Sequence, residues 1–170
     1  MTQEEIRIRS TYLFLACSQA IERFAGRLSS TLPEPLSAVK PLWEKSLKKE
    51  LGLLCRYWTT RQIWEHLEGK EAAAKALNLA LLRLFTDAFR LPKDGSGLRY
   101  AEFSTLAEEV QELGHRIAND LGLQHPPLLA ELRTATLPWR DAVAAHTADA
   151  LERPLDQLAA NVKAWVERAS

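Results

Sequence analysis

Apolar residues recur at helical spacing along nearly the whole chain, and no segment shows a persuasive alternation typical of strands. The first apolar stripe is built from residues at intervals of four, four, three and four: Leu13, Cys17, Ile21, Phe24 and Leu28. Similar stripes follow within residues 103–121 and 155–165. The pattern predicts an all-α protein, a compact bundle of five or six mainly antiparallel helices that forms a single domain over residues 1–170.

Caps, prolines and glycines divide this pattern into segments. Thr2 is a suitable N-cap because acidic residues follow it in the first turn. Pro33 and Pro35 end the first helix, and the Thr59–Thr60 pair predicts a break followed by a short helix that Gly69 closes. Residues 92–97 predict a turn. The remaining helices are expected at residues 41–58, 70–91, 98–121, 138–152 and from Pro154 onwards. Because its apolar face is wide, the helix at 70–91 is expected to be the most buried.

The charge and the cysteine content indicate where the protein is found and what it does not attract, but they indicate no particular function. Basic and acidic residues number 22 each, so the chain has no net charge to attract nucleic acid from a distance. Residues 1–85 carry a net charge of +4 and residues 86–170 a net charge of −4. Cys17 and Cys55 lie in apolar surroundings, which predicts buried, reduced thiols in a cytoplasmic protein. No segment approaches the ~20 apolar residues of a membrane span, so no membrane partner is expected.

A basic stripe is the most informative charged feature. Projected at about 100° per residue, four cations of the second long helix fall within roughly a third of its circumference: Lys45, Lys48, Lys49 and Arg56. Arg61 follows a short distance on. Such a row, facing solvent, predicts contact with phosphates of RNA or DNA or with an acidic protein surface. The alternative is an ordinary solvated face, since Glu44 and Glu50 belong to the same helix.

Tryptophan is abundant, and three of its five copies surround the basic stripe: Trp43, Trp58 and Trp64. Large core side chains are one interpretation. An aromatic anchor at a protein interface, or a platform for base stacking beside the cations, is the other. Trp139 directly follows Pro138, which suggests an exposed position at a helix start.

Two arginine–histidine pairs suggest a different function. Arg61 and His66 are separated by four residues, and Arg140 and His146 by five. At the level of a short motif these pairs resemble the R-x4–6-H signature of HEPN-type ribonucleases, all-α domains in which arginine and histidine line the cleavage site. The resemblance implies that histidine moves a proton while arginine stabilises the charge on phosphorus. Regular helix separates the two side chains of each pair by about 120–140°, so a site would require a helix end or a second copy of the chain.

No metal site or cofactor is expected. Glu112 and His115 form one E-x-x-H motif, but a di-iron bundle requires a second copy, which the sequence lacks. The sequence therefore favours a non-catalytic interaction or accessory subunit of a larger cytoplasmic assembly. Its expected partner is another protein or a second copy of the chain, with nucleic acid as a further candidate through the basic stripe and Arg61. The alternative is a metal-independent, HEPN-like ribonuclease.

Overall fold

A computed structural model describes residues 1–93 and 95–170, without the side chains of residues 95–98. Helix accounts for 82% of the chain, and no strand occurs among the described residues, which confirms the all-α class. None of the described helices is long and apolar enough to cross a membrane. Within the described ranges there are seven α-helices, more than the five or six predicted, and one 3-10 helix at Gly95–Glu102. The α-helices are α1 (Gln3–Ser30), α2 (Glu34–Ser37), α3 (Lys40–His66), α4 (Glu71–Phe89), α5 (Leu106–Asp120), α6 (Leu129–Glu152) and α7 (Leu155–Ala169).

Two helices begin with a reciprocal cap. At α1, the Thr2 hydroxyl accepts from the Glu5 amide, and the Glu5 carboxylate accepts from the Thr2 amide at 2.7 Å, which confirms Thr2 as the N-cap. Thr105 and Glu108 form the same arrangement at α5. That helix therefore begins later than the predicted residue 98. The 3-10 helix occupies the preceding stretch, and Asp94 of the predicted turn at 92–97 lies outside the described residues.

Two predicted interruptions are absent from the structure. α3 continues through the threonine pair, where Thr59 is fully buried and its hydroxyl donates to the Arg56 carbonyl oxygen at 3.0 Å. In α6 the helix continues through Pro138, although the proline lacks an amide proton. Trp139 is buried rather than exposed, with its ring centroid 5.3 Å from that of Phe24 and 4.7 Å from that of Trp58. Burial of this indole favours the continuous helix.

The core is built around α1 and α3. α1 packs against α3, α4, α6 and α7, whereas α3 packs against α1, α4, α5, α6 and the 3-10 helix. Cys17 and Cys55 are buried on α1 and α3, as predicted, and burial raises the pKa of the Cys55 thiol. The prediction that the helix at 70–91 is the most buried is wrong. α4 buries only one narrow stripe, whereas α1 and α3 bury residues around most of their circumference.

Contacts between side chains define the helix directions. Phe24 contacts Trp139, and Arg9 near the start of α1 reaches Ala150 near the end of α6, so these two helices run in opposite directions. The pairs α3–α4 and α3–α5 are antiparallel as well. α3 and α6 instead run in the same direction, because Trp58 contacts Trp139 and His66 lies near Glu152. α1 and α4, which also pack together, run in the same direction as well, since α1 is opposite to α6 and α4 is opposite to α3. The described helices thus form both antiparallel and parallel pairs.

A single arginine of α1 caps the C-terminus of α6. The Nη1 of Arg9 donates to the carbonyl oxygens of Ala150 at 2.9 Å and Arg153 at 3.1 Å, with a longer contact to Leu151. The last carbonyls of a helix lack partners within the helix and carry partial negative charge. A guanidinium at this position satisfies them and joins segments more than 140 residues apart in the sequence.

A buried polar network joins α3 to the 3-10 helix and α5. Glu50 is only 1% exposed, and its Oε2 accepts from the Tyr100 hydroxyl at 3.0 Å. Arg99 Nη2 lies 3.6 Å from the other carboxylate oxygen. Burial raises the pKa of Glu50, whereas Arg99 and the Tyr100 hydroxyl act in the opposite direction. Nearby, the Ser46 hydroxyl donates to Asp120 Oδ2 at 2.6 Å. The partners offset the cost of burying the carboxylate.

Candidate nucleic-acid interface

The structure does not arrange the basic stripe of α3 as a continuous row facing solvent. Lys45 is exposed, but Lys48 Nζ lies 2.8 Å from Glu22 Oε2 on α1, and Lys49 Nζ lies 4.0 Å from Asp120 Oδ2 on α5. The two middle cations therefore point toward acidic residues of neighbouring helices. Their charges are partly neutralised before any ligand arrives.

Packing of α4 separates the fourth cation from the other three. Gly52 lies on the same side of α3 as the stripe and is buried, and a Cβ added there would lie 3.1 Å from Phe89 Cγ. Ile63, on that side one turn beyond Thr59, is fully buried as well. Small residues therefore allow α4 to cover the face that the helical projection assigned to solvent. Arg56 lies beyond this contact, against α4 rather than beside the lysines.

Arg56 instead lies in a groove between α3 and α4. Two neighbouring cavities share Arg56 and Leu82 in their lining, and we call them together the α3–α4 groove. The first, the Trp64 cavity, has a volume of about 200 Å³ and is lined mainly by Arg56, Tyr57, Trp64, Lys75, Asn78 and Leu79. The second, the Arg83 cavity, has a volume of about 270 Å³ and is lined mainly by Arg56, Leu82, Arg83, Asp87 and Lys93.

Positive charge predominates in the groove. Among the described residues, four cations line it against one acid, Asp87: Arg56, Lys75, Arg83 and Lys93. In the part of the chain that the structure describes, Arg56, Lys75 and Arg83 have no carboxylate within ion-pair distance. Partial burial lowers the pKa of Arg56 from a value so high that the guanidinium stays charged near neutral pH. These cations are available to an anionic ligand.

Aromatic and polar groups adjoin those cations. Trp64 is 42% exposed and Leu79 is 45% exposed, whereas Trp43 and Trp58 are buried in the core. Of the three tryptophans near the predicted stripe, only Trp64 is available as a stacking platform. The amide nitrogen and oxygen of Asn78 are both buried and have no hydrogen-bond partner among the described residues. The Trp64 cavity thus combines an exposed ring and two cations with a residue, Asn78, whose unsatisfied amide is buried in the cavity wall.

Known proteins offer no guide to this groove. Compared with family models, curated proteins and solved structures, the chain shows no significant match. The interpretation of the site therefore depends on its own geometry and chemistry.

Sequence reasoning found Arg56 and Trp64 but missed Lys75, Asn78 and Arg83. One feature of the sequence pointed to this surface: the apolar face of α4 is wider than the stripe that packs in the core. Leu79 and Leu82 lie outside that buried stripe, which made them candidates for a binding surface. Which polar residues accompany them could be seen only once α4 was placed against α3.

The arginines of the two Arg–His pairs line one cavity, but their histidines do not. Arg61 and Arg140 share a cavity of about 320 Å³ with Trp58, Gln62 and Glu109. Arg61 Nε also pairs with Glu65 Oε1 at 3.0 Å. Glu109 is only 6% exposed and accepts from Trp58 Nε1 at 3.0 Å. Burial raises the pKa of this carboxyl, against the opposing effects of the indole N–H and the two arginines.

The histidines lie in other surroundings. His66 Nδ1 is 3.0 Å from the Gln62 carbonyl oxygen, and its Nε2 is 3.9 Å from Glu152 Oε1. His146 is half-buried near Asp149 and Arg23, and burial lowers its pKa. Each histidine therefore has neighbours different from those of its arginine, as the angular separation along a helix requires.

Metal-ligating side chains do not cluster in the described ranges. No group of three or more His, Cys, Asp or Glu side chains there could hold a metal ion. His115 of the E-x-x-H motif lies 3.3 Å from Gln111 Nε2, and Glu112 pairs with Arg116 at 2.6 Å. The motif is thus engaged in contacts along its own helix.

Proposed function

We propose that this protein is a non-catalytic interaction or accessory subunit of a larger cytoplasmic assembly, and that it contacts nucleic acid through the α3–α4 groove. The observation that supports the proposal is a set of cations that have no acidic partner among the described residues, Arg56, Lys75 and Arg83, lining the α3–α4 groove beside the exposed Trp64. Phosphates are the natural ligands of such cations, because binding them releases the counterions of the nucleic acid.

The charge of the whole chain supports an accessory role. With no net charge, the protein has no long-range field to attract an isolated nucleic acid, so only local contacts contribute to affinity. Three or four phosphate contacts on a single strand give a log–log salt slope of about −2 to −3. Binding of this strength is sensitive to salt and is best suited to an assembly in which a partner supplies further contacts.

Fluorescence anisotropy with a labelled RNA of about 12 nucleotides tests the proposal over roughly 50–200 mM salt. The double variant Lys75→Ala, Arg83→Ala should lower the affinity at low salt about tenfold and reduce the slope by about 1.4, because it removes two phosphate contacts. The matched control is Lys163→Ala, Arg168→Ala, which removes the same charges from α7 and should change little.

A second pair of variants distinguishes the groove from the predicted stripe. Lys48→Ala, Lys49→Ala removes two cations that already lie near Glu22 and Asp120. We expect a smaller reduction of the salt slope than for the groove variant. Equal reductions of the salt slope would show that the basic stripe contributes as much to binding as the groove does. If the protein does not bind RNA even at low salt, the nucleic-acid role is contradicted.

The convergence of Arg61 and Arg140 on one cavity favours a second candidate function, the metal-independent, HEPN-like ribonuclease. This alternative expects cleavage of labelled RNA in the presence of a chelator, with loss of cleavage in Arg140→Ala and in His146→Ala or His66→Ala. Equal cleavage by the wild type and these variants, or no cleavage at all, would exclude it.

A further inference from the structure

We propose that the Trp64 cavity holds one unpaired nucleobase, so that the α3–α4 groove binds single strands in preference to duplexes. This inference rests on the proposed function, because the phosphates of the same strand would contact the cations of the groove. It adds a base-recognition site at Trp64 and Asn78.

Asn78 supplies the first argument. Its amide offers two donors and one acceptor oxygen, and the structure gives partners to neither the nitrogen nor the oxygen. A buried polar group without a partner is costly, and such groups are few in folded proteins. The edge of every nucleobase offers a donor next to an acceptor, which matches a primary amide in two hydrogen bonds. Both amide atoms are screened from solvent, so binding includes a rotation of the side chain toward the cavity.

Trp64 supplies the second argument. Its side chain is 42% exposed, and among the aromatic rings that the structure describes none stacks against it. The other large rings of α3 are buried or half-buried. Leu79 and Leu82 line the cavity from α4, so a flat group entering it meets the indole and an apolar surface. Base–aromatic stacking tolerates any base, because each has a π-face.

The size of the cavity favours a single base over a helix of paired bases. Its volume of about 200 Å³ is below the roughly 300–1,000 Å³ of pockets for drug-sized ligands. Neighbouring helix axes lie about 8–10 Å apart, so the depression between α3 and α4 is narrow. In a duplex the faces and pairing edges of the bases are occupied, and a base reaches a pocket only after it leaves the stack.

The cations complete the arrangement. Arg56 and Lys75 line the same cavity as the ring and the amide, and Arg56 also lines the neighbouring Arg83 cavity. A strand that places one base at Trp64 can therefore contact cations that line either cavity. Phosphate contacts supply sequence-independent affinity, and the base contact supplies the preference for unpaired strands.

Three labelled probes of similar length test this inference with the full chain: a single-stranded RNA of about 12 nucleotides, the corresponding duplex, and a strand of the same length in which most nucleotides are abasic. The abasic strand keeps the phosphates but lacks the bases. We expect the intact strand to bind about tenfold more tightly than the abasic strand, and more tightly than the duplex.

Variants assign that difference to the cavity. Trp64→Ala should lower the affinity for the intact strand nearly to that for the abasic strand. Trp64→Phe should retain most of the difference in affinity, because it keeps an aromatic ring. Asn78→Leu should reduce the difference and raise the melting temperature, because it removes the unsatisfied amide while leaving the surface apolar. A purely structural Asn78 would change the melting temperature and leave the base-dependent affinity unaltered.

The outcomes separate the two proposals. If the intact, abasic and duplex probes bind equally and the Lys75→Ala, Arg83→Ala variant still weakens all of them, the base site is wrong and the proposed nucleic-acid contact stands. Unchanged preference in Trp64→Ala also overturns the base site. If no probe is retained at low salt, both proposals fail.

Discussion

Two groups of polar residues on opposite sides of α3 differ in their hydrogen bonding. Toward α5 and the 3-10 helix, Glu50 has Tyr100 and Arg99 as partners, and Ser46 has Asp120. Toward α4, the amide of Asn78 has no hydrogen-bond partner among the residues that the structure describes. Arg56 on that side has no acidic partner among them. Satisfied groups stabilise the fold, whereas groups left unsatisfied at a concave surface reduce stability and retain the capacity to bind.

The largest expected effect comes from removing Glu50 from its network with Tyr100 and Arg99. Glu50→Ala removes a carboxylate that is only 1% exposed and leaves Arg99 and the Tyr100 hydroxyl without it. We expect a loss of about 3–5 kcal/mol in the free energy of unfolding, measured by urea denaturation. Glu44→Ala on the same helix is the control and should change stability by less than about 0.5 kcal/mol. Similar losses of unfolding free energy in both variants would show that the Glu50 network contributes no more to stability than an ordinary surface carboxylate does.

The close approach of α4 to α3 provides the next test. Gly52→Leu should destabilise the protein by about 1–3 kcal/mol, because even a Cβ at this position would lie 3.1 Å from Phe89 Cγ. Gly26→Leu on α1 is the matched control, since no atom lies within 4 Å of a Cβ added there. That change should stabilise by about 0.5–1 kcal/mol through helix propensity. Thermal denaturation of the two variants should therefore shift in opposite directions.

A third test compares one polar group from each side. Asn78→Leu should raise the free energy of unfolding by about 1 kcal/mol, because it removes an unsatisfied amide. Ser46→Ala should lower it by about 1 kcal/mol, because Asp120 loses a donor at 2.6 Å. Urea denaturation measures both. A loss of stability in both variants would contradict the contrast between the two sides.

The smallest expected effect is a change in pH dependence. Burial raises the pKa of Glu50, so between its ordinary pKa of 4.5 and its raised value the folded protein binds more protons than the unfolded chain. The contribution of Glu50 to stability is therefore complete below about pH 4.5 and is lost as the pH rises through the raised pKa. Hydrogen bonds lower the pKa of Glu108, so its contribution to stability changes with pH in the opposite direction.

Glu50→Gln isolates this effect, because it removes one titrating group and leaves Glu108 in place. Unfolding free energies measured at several pH values should decline less steeply above pH 4.5 in the variant than in the wild type. Parallel curves would show that Glu50 does not titrate differently in the folded and unfolded states.

Local signals were enough to predict the class of the fold. Apolar spacing indicated helices, and Thr2 with its acidic neighbours indicated where the first one begins. The predicted breaks at Thr59–Thr60 and Pro138 were wrong, because burial of Thr59 and Trp139 in the core outweighs the local preference. Such compensation depends on contacts that the sequence does not display.

The candidate site was less predictable for a related reason. A helical projection assigns large apolar residues to the core and treats the opposite side as solvated, but Gly52 and Thr59 are small enough for a second helix to pack there. That packing separates Arg56 from the lysines and brings it beside Lys75. The groove is thus formed by residues of two helices, and the sequence of either helix alone does not show which residues line it.

The position of α1 has a consequence for synthesis. α1 is synthesised before α6 and α7, two of the helices that cover it, so Arg9 can bond the carbonyl oxygens of Ala150 and Arg153 only after α6 has been made. Until then its apolar stripe has no complete cover. The packing around α1 is therefore complete only after α7 has been translated, and until then the uncovered stripe is a surface that chaperones can bind.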